Sequence, residues 1–165
     1  MKRRHFLGLA AATGLVGSLP GVAFGFPRLK LSRAADITPL ELSDAEWQER
    51  LTPAQYDVLR DHATEPAFSS PLNDEWREGR YQCAGCELVL FESTMKYESG
   101  TGWPSFFEHV EGHLLSKLDV SMIWPRTEYH CARCGGHQGH VFGDGPDPSG
   151  LRWCNNGVAL RFVPA

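Results

Sequence analysis

The chain reads as one mainly β domain introduced by two short helices and stapled by a structural zinc site, on three observations. From residue 80 onward, runs of three to five strand-forming residues alternate with dense turn signals, the pattern of short strands rather than long helices. Ahead of that region, two segments carry helix-start chemistry. Two C-x-x-C pairs punctuate the β-like part. With 165 residues, 42% of them hydrophobic and 22% charged, the chain supports one ordinary core. A net charge of -4 with no basic stripe argues against a nucleic-acid partner.

The first segment reads as an export signal. Lys2, Arg3 and Arg4 precede a short apolar stretch weakened by Gly14 and Gly17, and Ala23 and Gly25 stand where cleavage before Phe26 requires small residues. Paired arginines followed by Phe6-Leu7 resemble a twin-arginine signal, which exports folded proteins to the periplasm or beyond. The expected division is a signal over residues 1–25, a linker over 26–39 without helical or strand period, and a domain over 40–165. The apolar stretch is short for a membrane span, so no stable insertion is expected after cleavage; an uncleaved anchor is the competing reading.

Ser43-Asp44-Ala45-Glu46 before Trp47 and Leu51 has capping-box character, and Thr52-Pro53-Ala54-Gln55 places proline at a helix start. Strands are expected over 80–83, 88–91, 114–118, 127–131, 140–142, 151–154 and 158–162.

The five cysteines divide four and one. Cys83, Cys86, Cys131 and Cys134 form two knuckle-like pairs whose thiolates can converge at about 2.3 Å on one tetrahedral zinc ion, a closed structural site with one ion per chain. Two disulfides, or a redox-active pair on a thioredoxin-like scaffold, are the alternatives, although no βαβ unit is visible for the latter. Cys154 is left over, either a small buried hydrophobe or a reactive thiol. Arg152, two residues earlier on the same strand face, favours its thiolate. His137 and His140 lie close after the second pair, and Trp103 lies on a glycine-framed loop. Each also has a plainer reading, as extra metal ligand, surface residue or core.

Taken in order, Tyr81-Gln82-Cys83-Ala84-Gly85-Cys86, Ser99-Gly100-Thr101-Gly102-Trp103-Pro104-Ser105-Phe106, Arg126-Thr127-Glu128, Cys134-Gly135-Gly136-His137-Gln138-Gly139-His140-Val141-Phe142, Asp144-Gly145-Pro146 and Arg152-Trp153-Cys154-Asn155-Asn156 resemble the B-type methionine sulfoxide reductases over nearly the whole mature chain. The resemblance implies two antiparallel sheets in a β-tent and zinc on the paired cysteines. It implies reduction of peptide-bound methionine (R)-sulfoxide through a Cys154 sulfenic acid. His140, His137, Asn156 and Arg152 are then expected around the reacting atoms, with Trp103, Phe142 and Glu128 at the substrate.

Two departures stand out. Thr101 occupies the place where many members of that family carry a resolving cysteine, so recycling is expected from an external thiol such as a thioredoxin-like protein. Asn155-Asn156-Gly157 stands where a more apolar residue and a serine flanking the asparagine are commoner in that family. The expected partners are oxidised proteins carrying methionine sulfoxide and that reductant, and the chain is expected to act as a monomer. A zinc-ribbon interaction module with an inert Cys154 is the alternative function.

Overall fold

Both helices begin where their capping chemistry puts them in the computed structural model, which describes Pro27 and residues 29–165; the signal expected over residues 1–25 lies outside the described residues. In α1 (Asp44–Arg50), the Ser43 hydroxyl accepts the Glu46 backbone N–H, and the Glu46 carboxylate accepts the Ser43 N–H at 2.7 Å. Helix α2 (Pro53–Leu59) repeats the device with Thr52 and Gln55. Seven residues each is too short for a helix to persist on propensity alone. Burial of Trp47, Val58 and Leu59 holds them to the body.

Nine strands follow among the described residues: β1 (Gly79–Cys83), β2 (Val89–Glu92), β3 (Lys96–Tyr97), β4 (Ser105–Phe106), β5 (Leu114–Asp119), β6 (Arg126–Cys131), β7 (His137–Phe142), β8 (Arg152–Asn155) and β9 (Leu160–Pro164). They form two antiparallel sheets, ordered β2-β1-β9 and β3-β4-β8-β7-β6-β5. The mainly β architecture with two antiparallel sheets is thus as expected, and all seven predicted strands are present. The two-residue strands β3 and β4 are additions, too short to show any period. Between the sheets lies an aromatic core. Phe91 of β2 stacks on Phe106 of β4 at 4.0 Å and 7°, and Tyr129 of β6 meets the edge of Trp153 of β8 at 5.1 Å.

Within 29–40 there is no helix or strand, but this stretch is fastened to the body rather than hanging free. The Ser116 hydroxyl of β5 donates to the Leu29 carbonyl at 2.6 Å, Ala34 N–H donates to Gly112 at 3.0 Å, and Leu40 N–H donates to Arg133 at 2.7 Å. β5 ends the larger sheet, so the segment partly shields an otherwise open edge. No helix among the described residues is long and apolar enough to cross a membrane.

Candidate active site and metal centre

The two C-x-x-C pairs fold as near-identical knuckles. After Cys83 the chain turns through Glu87 at φ 64, with Glu87 N–H donating to the Cys83 carbonyl at 2.8 Å; after Cys131 it turns through Gly135 at φ 70, with Gly135 N–H donating to Cys131 at 2.9 Å. Both pairs are buried, and their four sulfurs lie within 4.8 Å of one another. Cys83 Sγ to Cys134 Sγ is 3.6 Å and Cys86 Sγ to Cys131 Sγ is 3.4 Å, and all five cysteines are free. A zinc ion with sulfurs at about 2.3 Å places neighbouring sulfurs roughly 3.8 Å apart, whereas a disulfide needs about 2.05 Å. The cluster therefore has the shape of a metal centre and not of two disulfides. The Gln138 amide donates to Cys83 Sγ at 3.4 Å, filling a second-layer position.

The lone cysteine lies on the other part of the larger sheet. Register pairs Lys117 of β5 with Glu128 of β6, Glu128 with His140 of β7, His140 with Cys154 of β8, and Cys154 with Ser105 of β4. Directly opposed residues share a face, with Cβ atoms about 5 Å apart. One row across the sheet therefore carries a cation, a carboxylate, an imidazole, a thiol and a hydroxyl. Strand alternation sends Trp153 and Asn155 to the opposite, core-facing side. There the Asn155 side-chain amide oxygen accepts the Tyr129 hydroxyl at 2.9 Å.

Over this row opens a cavity of about 120 Å³, lined by Cys154, His140, Phe142, Trp103, Asn156, Arg126 and other residues, Thr64 among them. Trp103 is fixed by its indole N–H, which donates to the Glu65 carbonyl at 3.1 Å. A larger cleft of about 610 Å³ lies elsewhere, between α2 and the turn at Gly157. It has no thiol or imidazole in its lining, and of its two carboxylates, Asp57 and Glu65, the latter already accepts the N–H groups of Gly157 and Val158. Chemistry belongs to the smaller cavity.

His140 Nε2 lies 2.7 Å from Asp119 Oδ2, an oxygen that Arg126 Nη2 also reaches at 2.7 Å. Burial works against the Asp119 charge, but hydrogen bonds from Ser121, His140 and Arg126 outweigh it and hold the carboxyl well below the usual range. Burial pushes the His140 imidazole down, with Asp119 opposing. A neutral ring that gives its Nε2 proton to Asp119 keeps a lone pair on Nδ1.

The expected pull of Arg152 toward the Cys154 thiolate is present but outweighed. Burial pushes the Cys154 thiol up, and the opposing pull of Arg152 and of the Thr101 hydroxyl does not overcome it. The dominant cause is burial of the thiol, while the Arg152 guanidinium, which pulls the other way, also serves a second partner. It forms a bidentate pair with Asp144, at 2.8 and 2.9 Å, and lies 4.4 Å over the Phe142 ring.

Of the other expected residues, Asn156 lines the cavity while both ends of its amide are tied down. Its oxygen accepts the Glu65 N–H at 3.1 Å, and its nitrogen donates to the Gln138 carbonyl at 3.0 Å. His137 and Glu128 stand outside the cavity wall. Glu128 Oε1 lies 3.0 Å from His137 Nδ1, 3.3 Å from Lys117 Nζ and 3.3 Å from His62 Nδ1. Burial disfavours the Glu128 charge, yet those groups bring its carboxyl down to about 2. Asp119, Thr64, His62 and the pairing role of Arg126 were not anticipated from the sequence.

Residues 51–164 match the SelR domain. The chain belongs to the SelR family. It is 50% identical over 123 residues to the peptide methionine sulfoxide reductase MsrB of Agrobacterium fabrum, covering 74% of this chain and 91% of that protein. With MsrB of Bradyrhizobium diazoefficiens the identity is 52% over 123 residues, covering 74% and 88%. With the mitochondrial methionine-R-sulfoxide reductase B2 of Rattus norvegicus it is 48% over 134 residues, covering 76% and 77%. The SelR match spans both knuckles, the whole cross-strand row and the Trp103 loop. The B-type reductase resemblance drawn from the motifs therefore holds at the level of family.

Proposed function

We propose that this SelR chain is a peptide-methionine (R)-S-oxide reductase in which Cys154 is the nucleophile and a zinc ion on Cys83, Cys86, Cys131 and Cys134 is structural. The observation that carries the reading is the direct opposition of Cys154 and His140 beneath Trp103 in one small cavity. Family membership and the names of the relatives support the reaction class.

The chemistry runs as follows. A sulfoxide sulfur accepts a thiolate only as its oxygen gains a proton. The Cys154 proton passes to His140 Nδ1 and from there to the sulfoxide oxygen while sulfur attacks sulfur. The hydroxyl then transfers to Cys154, leaving methionine and a Cys154 sulfenic acid. The substrate sulfur gains two electrons and the cysteine sulfur loses two. Thr101 cannot resolve the sulfenic acid, so an external thiol attacks Cys154, releasing water, and a second thiol frees the enzyme. Trp103 offers the methyl group an apolar wall that cannot hydrogen-bond the oxygen, a basis for choosing one epimer.

A peptide-bound substrate is favoured by the loop between β5 and β6, which exposes Val120, Met122, Ile123 and Trp124 beside Asp119 and Arg126. The arginine pair and apolar run at the N-terminus support export, and hence repair of exported proteins. Fractionation of cells followed by N-terminal sequencing tests that part.

The reaction is tested by single turnover of zinc-loaded protein with separated R and S epimers of a blocked methionine sulfoxide, without reductant. One equivalent of methionine from the R epimer alone is expected. No product from either epimer would leave a zinc-stapled interaction module with Cys154 inert. Substituting Cys83→Ser should cost both zinc and cooperative melting, because binding on the order of 10–16 kcal/mol rivals the roughly 5–15 kcal/mol stability of a domain.

A further inference from the structure

The Glu128 carboxylate belongs to a second cluster of ligating groups, apart from the four sulfurs. One ligand atom each from His62, Glu128 and His137 falls within 4.8 Å of the others. His137 is 1% and Glu128 5% exposed, yet Glu128 Oε1 and both ring nitrogens of His137 have no hydrogen-bond partner. The 3.0 Å approach of His137 Nδ1 to Glu128 Oε1 is too poorly aligned to be a hydrogen bond. Buried polar atoms are nearly always paired, so the buried His137 Nδ1 and the Glu128 Oε1 that it faces at 3.0 Å call for a further partner.

We infer that His62, Glu128 and His137 form a binding site for a divalent transition-metal ion of the zinc or nickel class. Two imidazoles and one carboxylate are the ligand set of an open, three-ligand site, with a fourth position left for water. Ligands at about 2.0–2.2 Å around a tetrahedral ion stand roughly 3.3–3.5 Å apart. The measured separations of 3.0 and 3.3 Å are near that spacing before any adjustment. The imidazoles of His62 and His137 are tilted by 56° at 5.2 Å, so they do not stack face to face. His62, with a side chain 47% exposed, is the way in from solvent.

One group opposes a cation here. Lys117 Nζ lies 3.3 Å from the same Glu128 oxygen, but its side chain is 51% exposed on the edge strand β5 and can turn outward. That opposition makes a discriminating test, since removing the ammonium must tighten the site while removing an imidazole must weaken it. His62 sits at φ 60 just beyond α2, a left-handed position that glycine occupies freely, so His62→Gly deletes the ligand and spares the turn.

The experiment titrates Ni²⁺ into the untagged full chain already carrying one zinc, read by calorimetry and by native mass spectrometry. Near-ultraviolet absorption watches for the charge-transfer bands that nickel on thiolates would give. The expected result is one nickel added per chain with zinc retained and no thiolate bands. His62→Gly should weaken binding at least about tenfold, and Lys117→Met should tighten it at least about fivefold. Failure of the native chain to take up nickel beside its zinc would overturn the assignment. So would equal affinity in the native chain and both variants. None of these readouts depends on the reductase reading.

Discussion

His140 and Arg126 meet at a single atom, Asp119 Oδ2, which each approaches to 2.7 Å. Asp119 ends β5, Arg126 begins β6 and His140 lies on β7. The carboxylate thus ties three consecutive strands together and engages Nε2 of His140, leaving Nδ1 as the nitrogen it does not touch. Asp119→Asn keeps the size and removes the charge. Single-turnover reduction should fall about 10–100-fold, part of the roughly 10²–10⁴-fold that a positioned acid or base supplies. The sign for pH follows from the same contact. Asp119 favours the imidazolium, so its loss moves the His140 limb of the rate profile to lower pH. A variant with the native rate and profile would remove Asp119 from the mechanism.

Cys154 rests as a thiol. Burial raises its pKa, Arg152 lowers it and Asp144 raises it. Alkylation by iodoacetamide, which reports thiolate, should therefore keep climbing with pH beyond the ordinary cysteine midpoint. Arg152→Met should move that midpoint further up, and Asp144→Asn should move it down. Shifts in the same direction for both variants would contradict the electrostatic account.

Much of this arrangement was legible before any coordinates. Ser43 and Thr52 announced both helices, and short strand-forming runs set between turn signals announced seven strands. The spacing of Cys83, Cys86, Cys131 and Cys134 announced a four-sulfur cluster. What stayed hidden depends on pairing between strands. Asp119 reaches His140 only because β5, β6 and β7 are neighbours in register, and nothing local to Asp119 signals that. Arg152 illustrates the opposite failure. Its place beside Cys154 was visible, but the burial of the thiol that outweighs its pull, and its pairing with Asp144, were not.

Thr101 lies near enough to Cys154 for its hydroxyl to draw the thiol pKa down, and it is linked through Ser99, at 2.8 Å, to Ser105, at 2.7 Å. A cysteine in its place should be close enough to resolve the sulfenic acid. After one turnover, Thr101→Cys should lose two thiols and gain an intramolecular disulfide, read as a mass 2 hydrogens lower. The native chain should instead carry one extra oxygen, trapped by a sulfenic-acid reagent. Persistence of the sulfenic acid in Thr101→Cys would mean that the loop does not approach as the structure has it.

Gly139 is the residue on which the closeness of β7 and β8 depends. It pairs with Asn155, and a Cβ there would fall far inside van der Waals contact of the Cys154 carbonyl oxygen, an obstacle of backbone rather than of movable side chain. Gly139→Ala must push β8 away from β7, which separates Cys154 from His140. Chemical denaturation should show a loss of at least about 2 kcal/mol, in the range of overpacking penalties. Gly100→Ala is the control. Gly100 sits at φ 70 with nothing within 4 Å, so alanine there costs only the left-handed backbone penalty of about 1 kcal/mol. Under conditions where both variants are folded, only Gly139→Ala should lose most of its single-turnover rate. Equal stability and equal rates in the two would show that the strand pair tolerates the side chain, and that Cys154 and His140 need no such close backbone approach.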